Sequence, residues 1–295
     1  AQGQRLDNFL IKQLKGVPKA RIYRALRKGE VRVNKGRVKP EYRLQAGDQV
    51  RLPPLRVAQP KKTATPHLAM AQLLEERILY EDASLLIIAK PSGMPVHGGT
   101  GVSMGLIEAL RAIRPQHKLL ELVHRLDRDT SGCLVIAKKR ALLVELHHLL
   151  TQRKVGKRYL ALVKGCWPDT VRKVDKPLLK NVLRSGERLV NVSDQGKPAI
   201  THFRVLKKYK DATLMIVQPL TGRTHQIRVH AAVMGHPIGG DSKYGDVEFN
   251  KQMRRLGLKR LFLHAAGIQF KLPDRDIQMC AVLEEDLRRV IMKLR

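Results

Sequence analysis

The sequence predicts a mixed α and β fold in two parts: a small basic unit, a linker, and a larger domain in which strands alternate with helices. Three observations predict it. Residues 1–52 read as a closed unit of two short helical patterns, a hairpin and a final strand. Residues 53–67 (PPLRVAQPKKTATPH) carry four prolines and no apolar periodicity, the pattern of an extended linker. From 68 to 295, apolar runs of strand length alternate with amphipathic stretches, and 295 residues leave room for one large domain beside the small one.

Charge narrows the function. Lysine and arginine number 57 against 26 acids, a formal charge of +31 and a pI near 10.6. A surplus of that size along a folded chain serves a polyanion. Nucleic acid is favoured over an anionic membrane, because no basic amphipathic segment carries Trp or Phe on its apolar face. Aromatic residues make up only 4%, so binding should rest on phosphate contacts more than on base stacking. The 43% hydrophobic fraction supplies a core, while no run has membrane-spanning length and no signal-peptide core stands near the start. Cys133, Cys166 and Cys280 stand apart with no CxxC pair, which argues against a disulfide framework or zinc site and for a reducing cytoplasm.

In the first unit, Leu6, Phe9, Leu10 and Leu14 fall at helical spacing. Pro18 suits the start of a second helix that runs to Lys28 and stops at Gly29. Ile22 and Leu26 form its core side, and Arg21, Arg24 and Lys28 line another face. VRVNKGRV reads as a hairpin with an Asn-Lys-Gly turn, and GDQVRL as the closing strand. The unit holds 14 basic residues against four acids. A generic basic helical cap is the plain alternative. The ordered pattern instead resembles the α-L RNA-binding domain, also found in a small-subunit ribosomal protein, and makes Arg21, Arg24 and Lys28 candidate RNA contacts.

In the larger domain, 78–80 and 85–89 (LLIIA) are predicted strands, followed by the glycine-rich loop KPSGMPVHGG that begins at Lys90. A helix is predicted over 103–113, a buried strand over 133–137 (CLVIA), a helix over 141–150 and a strand in KRYLALVKG, with Tyr159 near its start. Residues 170–195 are polar and irregular, a surface insertion with a hairpin. Strands over 200–209 and 213–217 precede a helix over 225–234, capped by Thr224, with Ile227, Ala231 and Met234 as its buried stripe. His225 and Arg228, three residues apart, can reach one spot. Two final strands lie in 260–283 and a closing helix in 284–294.

Between the lead-in 119–123 and the 133–137 strand stands HRLDRDTSG, residues 124–132. So much charge between apolar segments is costly unless its groups pair or do chemistry. If the backbone is extended there, Arg125 and Asp127 share one side while Leu126 anchors the other. An ordinary charged loop with a Thr-Ser-Gly turn is one reading. An aspartyl-phosphatase Asp-x-Asp-x-Thr is another, for which Asp127 and Asp129 fit but Ser131 stands where Thr is wanted.

The third reading is a resemblance. HRLDRDTSG, the preceding Lys-Pro-x-Gly, the Lys-x-Tyr-x-Ala segment and TGRTHQIRVH followed by GHPIGGDSKYG resemble, in order, the motifs of the RNA pseudouridine synthases. The resemblance covers 5–52 and about 78–283, and is nearest to the bacterial large-subunit ribosomal C-type branch that carries an N-terminal α-L domain. It implies an α+β fold with a mixed, mostly antiparallel sheet and the active site in a cleft across it. It also implies cofactor-free and metal-free isomerisation of uridines in large-subunit ribosomal RNA, free or in a pre-ribosomal particle, by a cytoplasmic monomer. Asp127 becomes the essential carboxylate, Arg228 its charge partner, and Tyr159 the residue packed on the target base and able to take part in proton removal. Arg125 fills the gap left by a flipped uridine, and Lys90, Arg223 and His225 join it as RNA contacts. A non-catalytic assembly factor would need only the basic surface, not this set.

Overall fold

The computed structural model describes residues 2–14, 17–54, 68–98, 104–182 and 188–295. The linker beyond Pro54, Gly99 of the glycine loop, Ser103 at the predicted helix start and the centre of the 170–195 insertion lie outside them. The chain divides into two compact units, 1–63 and 64–295.

The first unit packs α1 (Leu6–Gln13) and α2 (Lys19–Lys28) on a small sheet of β1 (Arg32–Val33), β2 (Gly36–Arg37) and β3 (Val50–Arg51), in the order β2-β1-β3. Leu6 and Leu10 are buried with Ile22, Leu26, Val31 and Val33, as their spacing predicts, while Phe9 and Leu14 pack at the margin. Pro18 precedes α2 and Gly29 ends it at φ 68°. The hairpin turn is tighter than its sequence suggests. Asn34 and Lys35 both take positive φ, 50° and 66°, as in a two-residue type I′ loop, so Gly36 already belongs to β2. On α2, Arg24 and Lys28 are exposed, whereas Arg21 is half-buried and paired to Glu30 at 2.7 Å.

The second unit runs α3 (Leu68–Glu76), β4 (Ile78–Glu81), β5 (Leu85–Lys90), α4 (Leu106–Ile113), β6 (Glu121–Leu122), β7 (Ser131–Ala137), α5 (Arg140–Thr151) and β8 (Gly156–Lys164). It continues with β9 (Lys173–Asp175), β10 (Leu178–Val182), β11 (Arg188–Val192), β12 (Ile200–Lys208), β13 (Ala212–Pro219), α6 (Gln226–Val233), α7 (Val247–Arg255), β14 (Leu263–Lys271), β15 (Asp276–Cys280) and α8 (Glu285–Lys293). The main sheet has the order β4-β5-β7-β14-β8-β13-β12-β9, with β15 on β14 and β6 on β7. Only β7 and β14 pair in parallel among the described residues; every other neighbouring pair is antiparallel. The sheet is therefore mixed and mostly antiparallel, in an α+β fold.

The apolar run after HRLDRDTSG explains its place at the centre. All of β7 is buried: Leu134 and Ile136 face one apolar layer, Cys133, Val135 and Ala137 the other. A strand with both faces covered needs a continuous apolar sequence, and each fully buried Leu or Ile contributes roughly 2 kcal/mol. Gly132, at the start of that strand, has φ 104°, and a Cβ there would lie 2.2 Å from the Ala265 carbonyl oxygen on β14. We predict that Gly132→Ala destabilises the fold by about 3 kcal/mol, read by denaturant unfolding. A change under about 0.5 kcal/mol would show that the β7–β14 contact can yield.

Three expectations change. The 170–195 stretch does form a hairpin, β10–β11, but β9 joins the main sheet and the hairpin is anchored. Its alternate apolar residues Leu178 and Val190 are buried with Val229 of α6, a small satellite core that the polar composition masks. Thr224 does not cap α6: the cap position is His225, at φ 52°, without a side-chain cap bond. The Gln226 side chain instead accepts from the Arg223 N–H at 3.0 Å and the Thr221 hydroxyl at 2.7 Å. Finally, α7 is an element the sequence reading leaves out; Asp246 caps it by accepting from the Phe249 N–H, with Phe249 and Met253 buried four residues apart.

Candidate active site

HRLDRDTSG enters β7 as an irregular loop, and its neighbours hold it at fixed points. Lys90, at the end of β5, is fully buried and donates from Nζ to the carbonyls of Pro91, Met94 and Arg128 at 2.8–2.9 Å. Ser92 donates to the Asp129 carbonyl at 2.8 Å, and Arg128 Nε donates to the Gly93 carbonyl at 3.0 Å. The Lys-Pro-x-Gly segment thus grips the charged loop from below. Lys90 is no RNA contact: its three protons are spent on backbone oxygens, and burial pushes its ammonium down to about 7 despite Asp129 and Asp127 nearby. His124 accepts from the Val135 N–H at 3.2 Å, and burial lowers it to about 4. It is a neutral fastener of the loop. Beneath β7, Ser131 bonds to His264 Nδ1 at 2.9 Å, while His264 Nε2 meets the Ala281 carbonyl and Arg260 donates to the same serine. This buried Ser-His pair ties β7 to β14.

Above the loop opens a cavity of about 460 Å³, in the usual range of small-ligand sites. Asp127, Tyr159, Arg228, Arg125, Arg223 and His225 all line it. Leu126 is buried between Arg125 and Asp127, as the extended-backbone reading expects, and Arg125 is exposed. Asp129 does not line the cavity. Tyr159 comes from β8, paired to Val217, with 8% of its surface exposed. Burial, reinforced by the charge of Asp127, pushes its hydroxyl well above the usual tyrosine value. Lys157, the lysine of the Lys-x-Tyr-x-Ala segment, adds a further cation to the lining, lowered by burial. Arg21, Arg24 and Lys28 belong to the first unit.

Arg228 is held more firmly by a second acid than by Asp127. Its Nε and Nη2 donate to Asp241 at 2.7 Å each, and Asp241 also accepts from the N–H groups of Lys243 and Tyr244. The remaining corner, Nη1, stands 3.5 Å from Asp127 Oδ2, the outer edge of a hydrogen bond. The Arg228 guanidinium also lies 5.1 Å from the Tyr244 ring centroid. Burial works to lower Arg228, but the Asp241 bonds win and raise it; Asp241 is lowered against its own burial by the same bonds. The sequence signal for this clamp was available, because a buried arginine needs a carboxylate and GHPIGGDSKYG supplies Asp241. The left-handed backbone of His225 costs a non-glycine residue about 1 kcal/mol, a strain that tends to gather at functional sites.

The ordered motifs and this constellation agree with what sequence comparison finds. A family model described as RNA pseudouridylate synthase matches residues 84–233. Ribosomal large subunit pseudouridine synthase C of Escherichia coli (strain K12) is 56% identical over 298 residues, covering 99% of this chain and 93% of that protein. The chain belongs to the RNA pseudouridylate synthase family. The protein of the same description from Haemophilus influenzae is 55% identical over 296 residues, covering 99% and 92%. An S4 domain model matches residues 4–50, the span of the α-L-like unit. Among solved structures, human RNA pseudouridylate synthase domain containing 4 superposes with a TM-score of 0.64 at 27% identity, covering 77% of this chain and 97% of its own. Human RNA pseudouridylate synthase domain containing 1 gives 0.59 at 26%, covering 70% and 82%. As a family member the chain is an isomerase. Among the described residues no helix is long and apolar enough to cross a membrane.

Proposed function

We propose that this protein isomerises specific uridines of large-subunit ribosomal RNA to pseudouridine, acting as a single chain in the cytoplasm on free or pre-ribosomal RNA. The observation that carries the reading is one cavity lined by Asp127, Tyr159 and Arg228 in a chain 56% identical to an enzyme of that description. The reaction breaks the bond from ribose to uracil nitrogen and makes one from ribose to a uracil carbon; that carbon loses its proton to solvent and the freed nitrogen takes one up. Atoms and oxidation state balance, so acid, base and positioning groups suffice.

Asp127 acts as nucleophile or base, with the Arg228 corner beside it to stabilise negative charge. Tyr159 walls the base. With its hydroxyl held protonated by burial, its first role is packing on uracil, not proton removal. Exposed Arg125 occupies the space vacated when the uridine is flipped into the cavity. Arg223, whose Nε donates to the Pro198 carbonyl at 3.0 Å, offers its remaining donors to phosphate. The two-aspartate phosphatase reading needs both carboxylates in one site, and Asp129 lies outside the cavity. The test is to map pseudouridines in ribosomal RNA from cells with and without the protein; identical maps would end the proposal.

The first unit is proposed to supply affinity. Its surface carries Arg24, Arg27 and Lys28 exposed on α2. We predict that removing residues 1–52 weakens ribosomal RNA binding and flattens its salt dependence, by about 0.7–0.9 in log–log slope for every phosphate charge that the unit no longer neutralises. Turnover at saturating RNA should largely survive in a folded truncated protein, and its complete loss would contradict the division of labour.

A further inference from the structure

The hydrogen bonds around His225 decide which of its ring nitrogens carries the proton. The Val190 N–H on β11 donates to the Tyr244 hydroxyl oxygen at 2.9 Å. That oxygen lies 2.8 Å from His225 Nδ1. With a donor already on the oxygen, the one hydroxyl proton has an acceptor in Nδ1 and no other among the described residues. The pairing that gives the hydroxyl proton an acceptor thus assigns the proton of the neutral His225 ring to Nε2. Tyr244 does not line the cavity but His225 does, so the ring edge away from Tyr244 serves the cavity. The two rings meet edge-to-face, 5.5 Å apart, which fixes the imidazole plane as well.

We propose, resting on the pseudouridine synthase reading above, that His225 is a further catalytic residue. Its Nε2–H donates to a carbonyl oxygen of the uracil held against Asp127, and Tyr244 acts as the positioning residue that sets this tautomer. Burial keeps the imidazole neutral, against the opposing pull of Asp127. A neutral donor suits a neutral carbonyl, while the anionic partners nearby are served by guanidinium groups. As the bond from ribose to uracil nitrogen breaks, its electrons spread onto the uracil carbonyl oxygens. The hydrogen bond is therefore stronger in the transition state than in the bound substrate. Residue 225 sits in a left-handed conformation at φ 52° immediately before α6, which aims its side chain into the cavity ahead of the helix. The β10–β11 hairpin thereby acquires a role. It holds Tyr244 through Val190, and its core residues Leu178 and Val190 rest on Val229 of the same helix.

The experiment is tritium release from a large-subunit ribosomal RNA transcript labelled at uracil carbon 5, under multiple-turnover conditions, with thermal unfolding of each variant. His225→Ala should lower kcat about tenfold with KM little changed, the size expected for one missing hydrogen bond that tightens in the transition state. His225→Gln, which puts an amide donor near the Nε2 position, should recover part of that rate. Tyr244→Phe keeps the ring over Arg228 and removes only the hydroxyl; it should slow kcat a few-fold. On the His225→Ala background the same change should add nothing, because Tyr244 acts through the imidazole. Normal kcat in His225→Ala, a change confined to KM, or full additivity of the two substitutions would each overturn the assignment. If the wild-type protein releases no tritium from any such transcript, the broader functional reading fails instead.

Discussion

Asp127→Asn is expected to abolish pseudouridine formation, by on the order of 10⁴-fold or more, while RNA binding stays near that of the wild-type protein. The substitution keeps the shape and one hydrogen-bonding oxygen but removes the carboxylate that can attack or accept a proton. If binding rests, as proposed, on many phosphate contacts, one residue at the cavity floor changes it little. Asp129→Asn is the internal control. Both acids stand in one loop and charge alone does not separate them, but only Asp127 lines the cavity and approaches Arg228. Asp129 is fixed through its backbone, whose carbonyl accepts from Ser92, so its side chain can change without moving the loop. Asp129→Asn should keep most of the activity. Tritium release from uracil-labelled RNA decides the matter: turnover by Asp127→Asn together with loss in Asp129→Asn would reverse the assignment.

The parts of this molecule legible from sequence are those set by short-range pattern. Two-sided burial of β7 shows as the unbroken CLVIA, α2 is bounded by Pro18 and Gly29, and the hairpin shows in Asn-Lys-Gly, of which Gly36 falls in the strand. Motif order brought Asp127, Tyr159, Arg228, Arg125, Arg223 and His225 into one site although they span about a hundred residues. What pattern does not carry is where a long side chain ends. Lys90 reads as a basic residue in a glycine-rich loop, like any phosphate contact, yet its stem runs inward and its ammonium meets three carbonyls. The same limit hid the anchoring of the β10–β11 hairpin, where a few apolar residues at alternate positions are outvoted by their polar neighbours. It also hid which of two acids Arg228 prefers, since that depends on the fork of the guanidinium and not on spacing.

Arg228→Ala should show two separable losses because the residue has two partners. Asp241 is fully buried, with no side-chain exposure, and depends on the bidentate bonds from Arg228. Removing the arginine strands that carboxylate, so the fold should lose about 3 kcal/mol or more. The cavity also loses its positive corner beside Asp127, and kcat should fall roughly 10²–10³-fold. To tell the effects apart, Arg228→Met combined with Asp241→Leu removes both charges of the buried pair and replaces them with apolar groups of similar length. Such replacements are often neutral for stability, so the double variant should regain most of the missing unfolding free energy. It should not regain turnover, because the guanidinium corner 3.5 Å from Asp127 is then gone. Arg228→Lys should lie between, since an ammonium reaches Asp241 or Asp127 but cannot bridge both in one fixed plane. Denaturant unfolding and single-turnover rates on the same preparations check both losses. Recovery of activity along with stability in the double variant would reduce Arg228 to a structural residue and leave Asp127 without its proposed charge partner.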